Sequence, residues 1–438
     1  MAAPVILPAG PRLLRDIPAP PTPPRPSAGR IVYRRIRRFI LDPPGARLLM
    51  TIPRTLSFVA GSWSRTMRTP VYPDPPAPRL TPALVAQVEL DELILAAMKS
   101  PRRYPRRLDY HRVGGEVLRG VSLYEGQGWL DQPLTYHRTP PPLTARHIRT
   151  EQASARGVVF ERMAFESEYE PWPDEPGRER WLSFEANHTA HAWVVRHHDD
   201  QPRPWLICVH GFGTGHPWLD FAGFRADKLH RELGLNLVFP VLPLHGPRKP
   251  GRFSGTEFMS FDMMNPVFGM AQSTWDIRRL VSWARDEGAQ TVGIYGLSLG
   301  AYATALAASV EPSFDLAIAG IPASDLPALF AHHCPPQLRR RAIRYHLLGE
   351  QTHRLHRVIS PLALHPLVAK DRRFIFAGLG DRMSTPKQAY RLWLHWDQPR
   401  LAWYGGNHVG FFWSNQVDRF VRSSLVDAGF TWPASPRY

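Results

Sequence analysis

Cysteine is nearly absent: Cys208 and Cys334 are the only two in 438 residues. Two cysteines exclude a disulfide framework and a Cys-rich zinc site. Long apolar runs are missing as well. No stretch of about 18 apolar residues occurs, which excludes a membrane-spanning helix. The opening residues lack the basic start, apolar centre and small-residue cleavage site of a secretory signal, so the chain is expected in the cytoplasm. Lysine is scarce: Lys99, Lys228, Lys249, Lys370 and Lys387 are all there are among 54 basic residues. What the chain has in quantity is arginine, 46 prolines and an aromatic complement of 14 Trp, 13 Tyr and 21 Phe. With 43% hydrophobic residues it has the material for a sizeable core, and its length allows two or three domains.

Charge is unevenly spread. Residues 1–150 hold 23 basic and 10 acidic residues, a net of +13, while the remainder holds 31 and 28, a net of +3. A basic appendage suits an anionic surface; arginine- and proline-heavy usage is also what a GC-rich genome produces. Residues 1–30 contain nine prolines and read as an extended tail. Residues 31–150 read as a basic extension with helices. Val32, Ile36, Phe39 and Ile40 share one helical face, with Arg34, Arg35, Arg37 and Arg38 beside or opposite it. A second apolar-basic stretch runs from Leu48 to Val59. Such helices either lie in the interface of an anionic membrane or pack on the core with solvated arginines. A third helix is clearer, with Thr81 as N-cap, Pro82 in the first turn and helical period from Leu84 to Met98. Residues 100–150 carry no assignable role.

From residue 151 the pattern changes to strands. Early strands are expected at 158–169, 181–184 and 190–196. Continuous apolar runs suited to buried strands follow at 205–209, 235–242, 291–295, 316–321, 374–377 and 401–404. Helical stretches at 275–287, 301–310 and 388–395 lie between them. Alternating strand and helix predicts an α/β fold, a mostly parallel sheet covered on both faces.

The sharpest motif is Gly296-Leu297-Ser298-Leu299-Gly300, which ends one of these strands and opens the helix at Ala301. That is the context of a nucleophile elbow. The serine sits on a tight strand-to-helix turn, the glycines remove side chains that would collide there, and the helix N-terminus favours developing negative charge.

Here the sequence resembles the α/β-hydrolase superfamily, over roughly residues 155–430. The resemblance implies an oxyanion loop after an early strand, then a carboxylate and a histidine after late strands, in the order Ser, Asp, His. His210-Gly211-Phe212-Gly213-Thr214-Gly215 looks like the oxyanion loop. It implies that the backbone N–H groups of Phe212 and Leu299 hold the oxyanion, with Gly213 replacing Phe212 under a one-residue shift. Gly378-Leu379-Gly380-Asp381-Arg382 offers Asp381 as the acid, with Asp325 as a competitor after the preceding strand. Gly405-Gly406-Asn407-His408 offers His408 as the base. A long N-terminal extension, Gly213-Thr214-Gly215 and Arg248-Lys249-Pro250 are similar to the α/β-hydrolase-domain-eighteen-like group.

The implied function is a serine hydrolase that cleaves carboxylic esters, of a lipid or other hydrophobic acyl compound, through Ser298, His408 and Asp381. His245, Arg248 and Lys249 are expected to face a polar or anionic headgroup. An insertion at about 325–370, with the apolar stretch Ala328-Leu329-Phe330 and with Arg339, Arg340, Arg341, Arg344, Arg354 and Arg357, is expected to form a lid over the pocket. An acyltransferase using the same triad, or an inactive scaffold at a membrane surface, are the alternatives. No cofactor is required. His332-His333-Cys334 and His197-His198 lack further ligands at metal spacing, and no nucleic-acid module is recognisable. The expected partners are an ester substrate and, through the basic N-terminal part, an anionic membrane.

Overall fold

The computed structural model describes residues 48–67, 75–98, 105–199 and 201–432. The proline-rich stretch 1–30 and the arginine-rich stretch 31–41 lie outside the described residues. Two compact units divide the chain, Met1–Met50 and Thr51–Tyr438, and the second holds every element named below.

Among the described residues nine strands make one sheet: β1 (Ile148–Ala155), β2 (Val158–Glu166), β3 (Thr189–Val195), β4 (Trp205–Val209), β5 (Asn236–Pro240), β6 (Val292–Leu297), β7 (Leu316–Gly320), β8 (Arg373–Gly378) and β9 (Arg400–Tyr404). Their order is β1-β2-β3-β5-β4-β6-β7-β8-β9. The β1–β2, β2–β3 and β3–β5 pairs are antiparallel; every other pair is parallel. The helices are α1 (Thr51–Thr66), α2 (Pro82–Met98), α3 (Arg107–Gly126), α4 (Arg178–Leu182), α5 (Pro217–Phe224) and α6 (Met264–Asp286). They continue with α7 (Leu299–Val310), α8 (Leu326–His333), α9 (Pro336–Arg344), α10 (Glu350–His356), α11 (Thr385–His395) and α12 (Asn415–Asp427).

Every residue of β4 to β8 is buried, which is why these strands read as unbroken apolar runs. Their side chains alternate between two layers. Ile207, Ile294, Ala317 and Ile375 pack into one core with α6 and α7. Leu206, Tyr295, Ile318 and Phe376 pack into the other with α5 and α12. Each fully buried Leu, Ile or Phe contributes about 1.5–3 kcal/mol, so the sheet between the two layers is the stable frame. β5 and β6 flank β4 on opposite sides. That reversal opens a crevice at the carboxyl ends of β4 and β6, where open α/β sheets bind their ligands.

Three regions differ from the sequence expectation. Residues 181–184, expected as strand, fall in α4 and the turn after it. Trp181 is buried there and its indole N–H donates to Gln272 Oε1 at 3.1 Å, a tertiary demand that a four-residue apolar run does not reveal. The unassigned stretch 100–150 contains the 20-residue helix α3. Gly114 and Gly120 weaken its helical signal, yet both are needed: a Cβ at Gly114 would strike the Tyr345 carbonyl, and one at Gly120 the Leu355 side chain. β1 went unseen because it is polar and mostly exposed.

The expected insertion between β7 and β8 consists of α8, α9 and α10. Arg339, Arg340, Arg341 and Arg344 of α9 are exposed. α10 packs on α3, and Arg354 pairs with Glu125 at 2.7 Å.

Candidate active site

Ser298 stands between β6 and α7 with φ 56° and ψ −114°, in the left-handed half of the map that a residue with a Cβ rarely adopts. The glycines on either side make this possible. A Cβ on Gly296 would meet the Gly300 carbonyl and Thr304 Oγ1; one on Gly300 would meet the carbonyls of Val209 and His210. β4, β6 and the start of α7 therefore touch backbone to backbone at the serine. Leu299 is the first residue of α7, so its N–H has no acceptor inside the helix.

His408 and Asp381 come to this serine from the ends of β9 and β8. His408 Nε2 lies 3.0 Å from Ser298 Oγ, and His408 Nδ1 lies 2.7 Å from Asp381 Oδ2. The other Asp381 oxygen accepts the backbone N–H groups of Met383 and Ser384, both at 2.8 Å. These bonds fix the carboxylate and leave Oδ2 for the imidazole. Burial by itself lowers the His408 pKa, but the charge of Asp381, its hydrogen bond and then the charge of Asp91 outweigh burial and hold the pKa above 6.5. Asp325 is elsewhere. It caps α8 through Ala328 N–H at 3.0 Å and pairs with Arg391 at 2.7 Å.

The loop after β4 runs against the serine. A Cβ on Gly211 would sit 3.4 Å from Ser298 Cβ, and the ring of the next residue, Phe212, stands edge-on to His245. His210 anchors this loop. Its Nε2 accepts Leu242 N–H at 3.0 Å, and its Nδ1–H donates to the Gly211 carbonyl at 2.8 Å. Burial, with His245 nearby, pushes its pKa well below the usual value, so the neutral ring those bonds require is the form present.

The segment after β5 is built differently from what its charges suggest. Arg248 is fully buried. Its guanidinium binds Asp276 at 2.8 Å and the carbonyls of Val241 and Asn187 at 2.9 and 3.0 Å. His245 is fully buried too, with Nδ1–H donating to the Pro243 carbonyl at 2.9 Å. Lys249 is half-buried, and Nζ donates to the Gly246 carbonyl at 3.3 Å. Arg248 and His245 thus brace the loop from within and present no side chain to a headgroup in solvent.

Sequence reasoning missed the part played by α2. Leu84 and Val88 lie on Gly380, and Gln87 lies on Gly406, positions where a Cβ would collide with them. Gln87 Oε1 accepts Asn407 N–H at 3.2 Å, and the Gln87 carbonyl accepts Asn407 Nδ2–H at 2.7 Å. Buried Asp91 accepts the N–H groups of Arg382 at 3.0 Å and His408 at 2.9 Å. Buried Glu92 pairs with Arg382 at 2.9 Å. A signal was present: Leu84, Val88, Asp91 and Leu95 fall on one helical face, so a carboxylate interrupts an apolar seam.

A family model described as alpha/beta hydrolase domain containing 18 matches residues 178–373. Uncharacterized protein MT2702 of Mycobacterium tuberculosis (strain CDC 1551 / Oshkosh) is 44% identical over 375 residues, spanning 85% of this chain and 89% of the relative. Among solved structures, acetyl xylan esterase 1 from Thermoanaerobacterium sp. JW/SL YS485 has a TM-score of 0.48 at 13% identity, over 69% of this chain and 93% of that one. The acetyl xylan esterase from Paenibacillus sp. R4 has a TM-score of 0.47 at 14% identity, over 69% and 99%. The chain belongs to one family with this Mycobacterium tuberculosis protein, matches the family described as alpha/beta hydrolase domain containing 18 over residues 178–373, and has the sheet order and elbow of the α/β-hydrolase fold.

Proposed function

We propose that this protein is a serine hydrolase that cleaves carboxylic esters of a lipid or other hydrophobic acyl compound. One observation carries the reading: an unbroken relay of 2.7 and 3.0 Å from Asp381 through His408 to Ser298. Ser298 Oγ attacks the acyl carbon while His408 Nε2 takes its proton. The backbone N–H groups of Phe212 and Leu299 hold the oxyanion, and Asp381 stabilises the imidazolium. His408 then returns the proton to the leaving alcohol. Water attacks the resulting acyl-Ser298 by the same steps in reverse roles and releases the acid.

Exposed aromatic side chains support a hydrophobic acyl group. Trp218 opens α5 just beyond the oxyanion loop, and Phe412 and Trp413 follow His408 by four and five residues; all three are exposed. The reading extends to a membrane surface, where such esters reside. Ile52, Leu56 and Trp63 expose a stripe along α1, with exposed Met67 just after it, apart from the face that Thr55, Phe58 and Ser62 bury. Interfacial helices present their apolar residues in this way.

The test is labelling with a fluorophosphonate probe, which phosphonylates only an activated serine. Wild type is expected to label, and Ser298→Ala and His408→Ala to remain unlabelled. Folded wild type that stays unlabelled would rule the proposal out.

A further inference from the structure

The acid loop and the histidine loop belong to β8 and β9 and are joined by Gly380 N–H to the Gly406 carbonyl at 2.9 Å, yet a further tie between them comes from α2, 317 residues before His408. Asp91 is fully buried in the helix seam. A carboxylate there is costly unless N–H donors surround it. Three do. Oδ2 accepts the backbone N–H of Arg382, the residue after the acid, and the backbone N–H of His408 itself; Oδ1 accepts Asn407 Nδ2–H at 2.9 Å. All three bonds ask Asp91 only to accept, which is what an ionised carboxylate does best.

This bridge spans the two residues whose spacing decides the 2.7 Å contact between His408 Nδ1 and Asp381 Oδ2. We propose that Asp91 is a positioning residue of the hydrolytic site, acting through the backbones of His408 and Arg382 and through its charge on the imidazole, so that α2 belongs to the catalytic unit. The inference rests on the serine-hydrolase reading above. A neutral side chain of the same shape offers fewer acceptor sites and no charge. The charge matters because the imidazolium forms during each proton transfer, and a second anion behind Asp381 favours it.

The groups facing Asp91 are few. Asp381, His408 and Tyr404 approach from the strand ends. On the helix side Glu92 is engaged by Arg382 at 2.9 Å and Arg54 at 3.6 Å. Burial first, then the charge of Asp381, push the Asp91 carboxyl up to about 7, against the opposing pull of His408 and the two backbone N–H bonds. The bridge is therefore at its strongest when Asp91 and Asp381 share the site with a protonated His408.

The rate of fluorophosphonate labelling, followed against pH in the full-length protein, tests this without knowledge of the natural ester. Asp91→Asn is expected to slow labelling about tenfold or more, as misplaced catalytic groups do, and to move the acid limb to lower pH because an anion beside the imidazole is gone. Gln87→Ala removes an acceptor for Asn407 N–H without changing charge, so it is expected to slow labelling with the acid limb in place. A folded Asp91→Asn protein with the wild-type rate, or with an unmoved acid limb, would overturn the proposal. Should that variant fail to fold, Asp91→Glu carries the test: slower labelling with the acid limb kept supports it, and the wild-type rate overturns it. Wild type that never labels would sink the serine-hydrolase reading itself, an outcome distinct from either.

Discussion

The loops at the ends of β4, β6, β8 and β9 and the helices α1–α3 are tied into the fold by different means. In the sheet region each reactive group stands within four residues of the carboxyl end of a strand, so its neighbours in sequence are its neighbours in space. Ser298 lies between Gly296 and Gly300 because the backbones of β4 and α7 leave no room for a Cβ at either. The helical region acts across long separations. Asp91 meets His408 and Arg382, Glu125 meets Arg354, and Glu116 receives Arg180 at 2.9 Å. Chemistry that depends on a tight turn is written in a few adjacent letters. Support that depends on packing is spread through the chain.

The largest effect should come from the sheet region. Ser298→Ala is expected to lower ester turnover by about 10⁴-fold or more with the melting temperature unchanged, as loss of a triad nucleophile does. Next comes Gly300→Ala, which drives a methyl group into the carbonyls of Val209 and His210. A loss on the order of 4 kcal/mol is expected in denaturant unfolding, and wild-type stability would show that the elbow is looser than described. Arg248→Ala strands the Asp276 carboxylate in the interior. Breaking a buried pair costs about 3–5 kcal/mol. In any folded fraction KM for a charged-headgroup ester should stay put, whereas a selective rise in KM would return Arg248 to the substrate.

A smaller effect concerns pH. His408 must be neutral to take the serine proton, and its pKa is held above 6.5. Turnover is therefore expected to fall as the medium is acidified through a midpoint above 6.5, and to be retained on the alkaline side. A midpoint below 6.5 would contradict the electrostatics of the Asp381–His408–Asp91 group. The smallest effect is expected on the helical side: Trp63→Glu should weaken cosedimentation with phosphatidylglycerol vesicles while turnover of a soluble ester is unchanged. Equal binding would remove α1 from the membrane contact.

Ser298, Asp381 and His408, which the sequence expectation grouped because each follows an apolar strand at a glycine-rich turn, lie in one hydrogen-bonded line. That expectation placed Asp381 ahead of Asp325, and in the structure the Asp381 carboxylate stands beside His408 while Asp325 pairs with Arg391. It stopped short where charge and exposure were treated as one thing. Arg248 reads as a cation in a loop, but its partner Asp276 is on α6 and its other acceptors are carbonyls of distant residues. α3 was hidden by glycines that exist for the sake of Tyr345 and Leu355. Asp91 stood in plain view on a well-marked helix, and only the position of a carboxylate among Leu84, Val88 and Leu95 set it apart.

The central claim is that Ser298 carries the acyl group between two half-reactions. Rapid acid quench during turnover of a p-nitrophenyl ester, followed by peptide mass spectrometry, tests it most directly. The account predicts an acyl mass on the peptide containing Ser298 that disappears in Ser298→Ala along with turnover. Sustained turnover in Ser298→Ala, or an acyl group trapped on another residue, would contradict it.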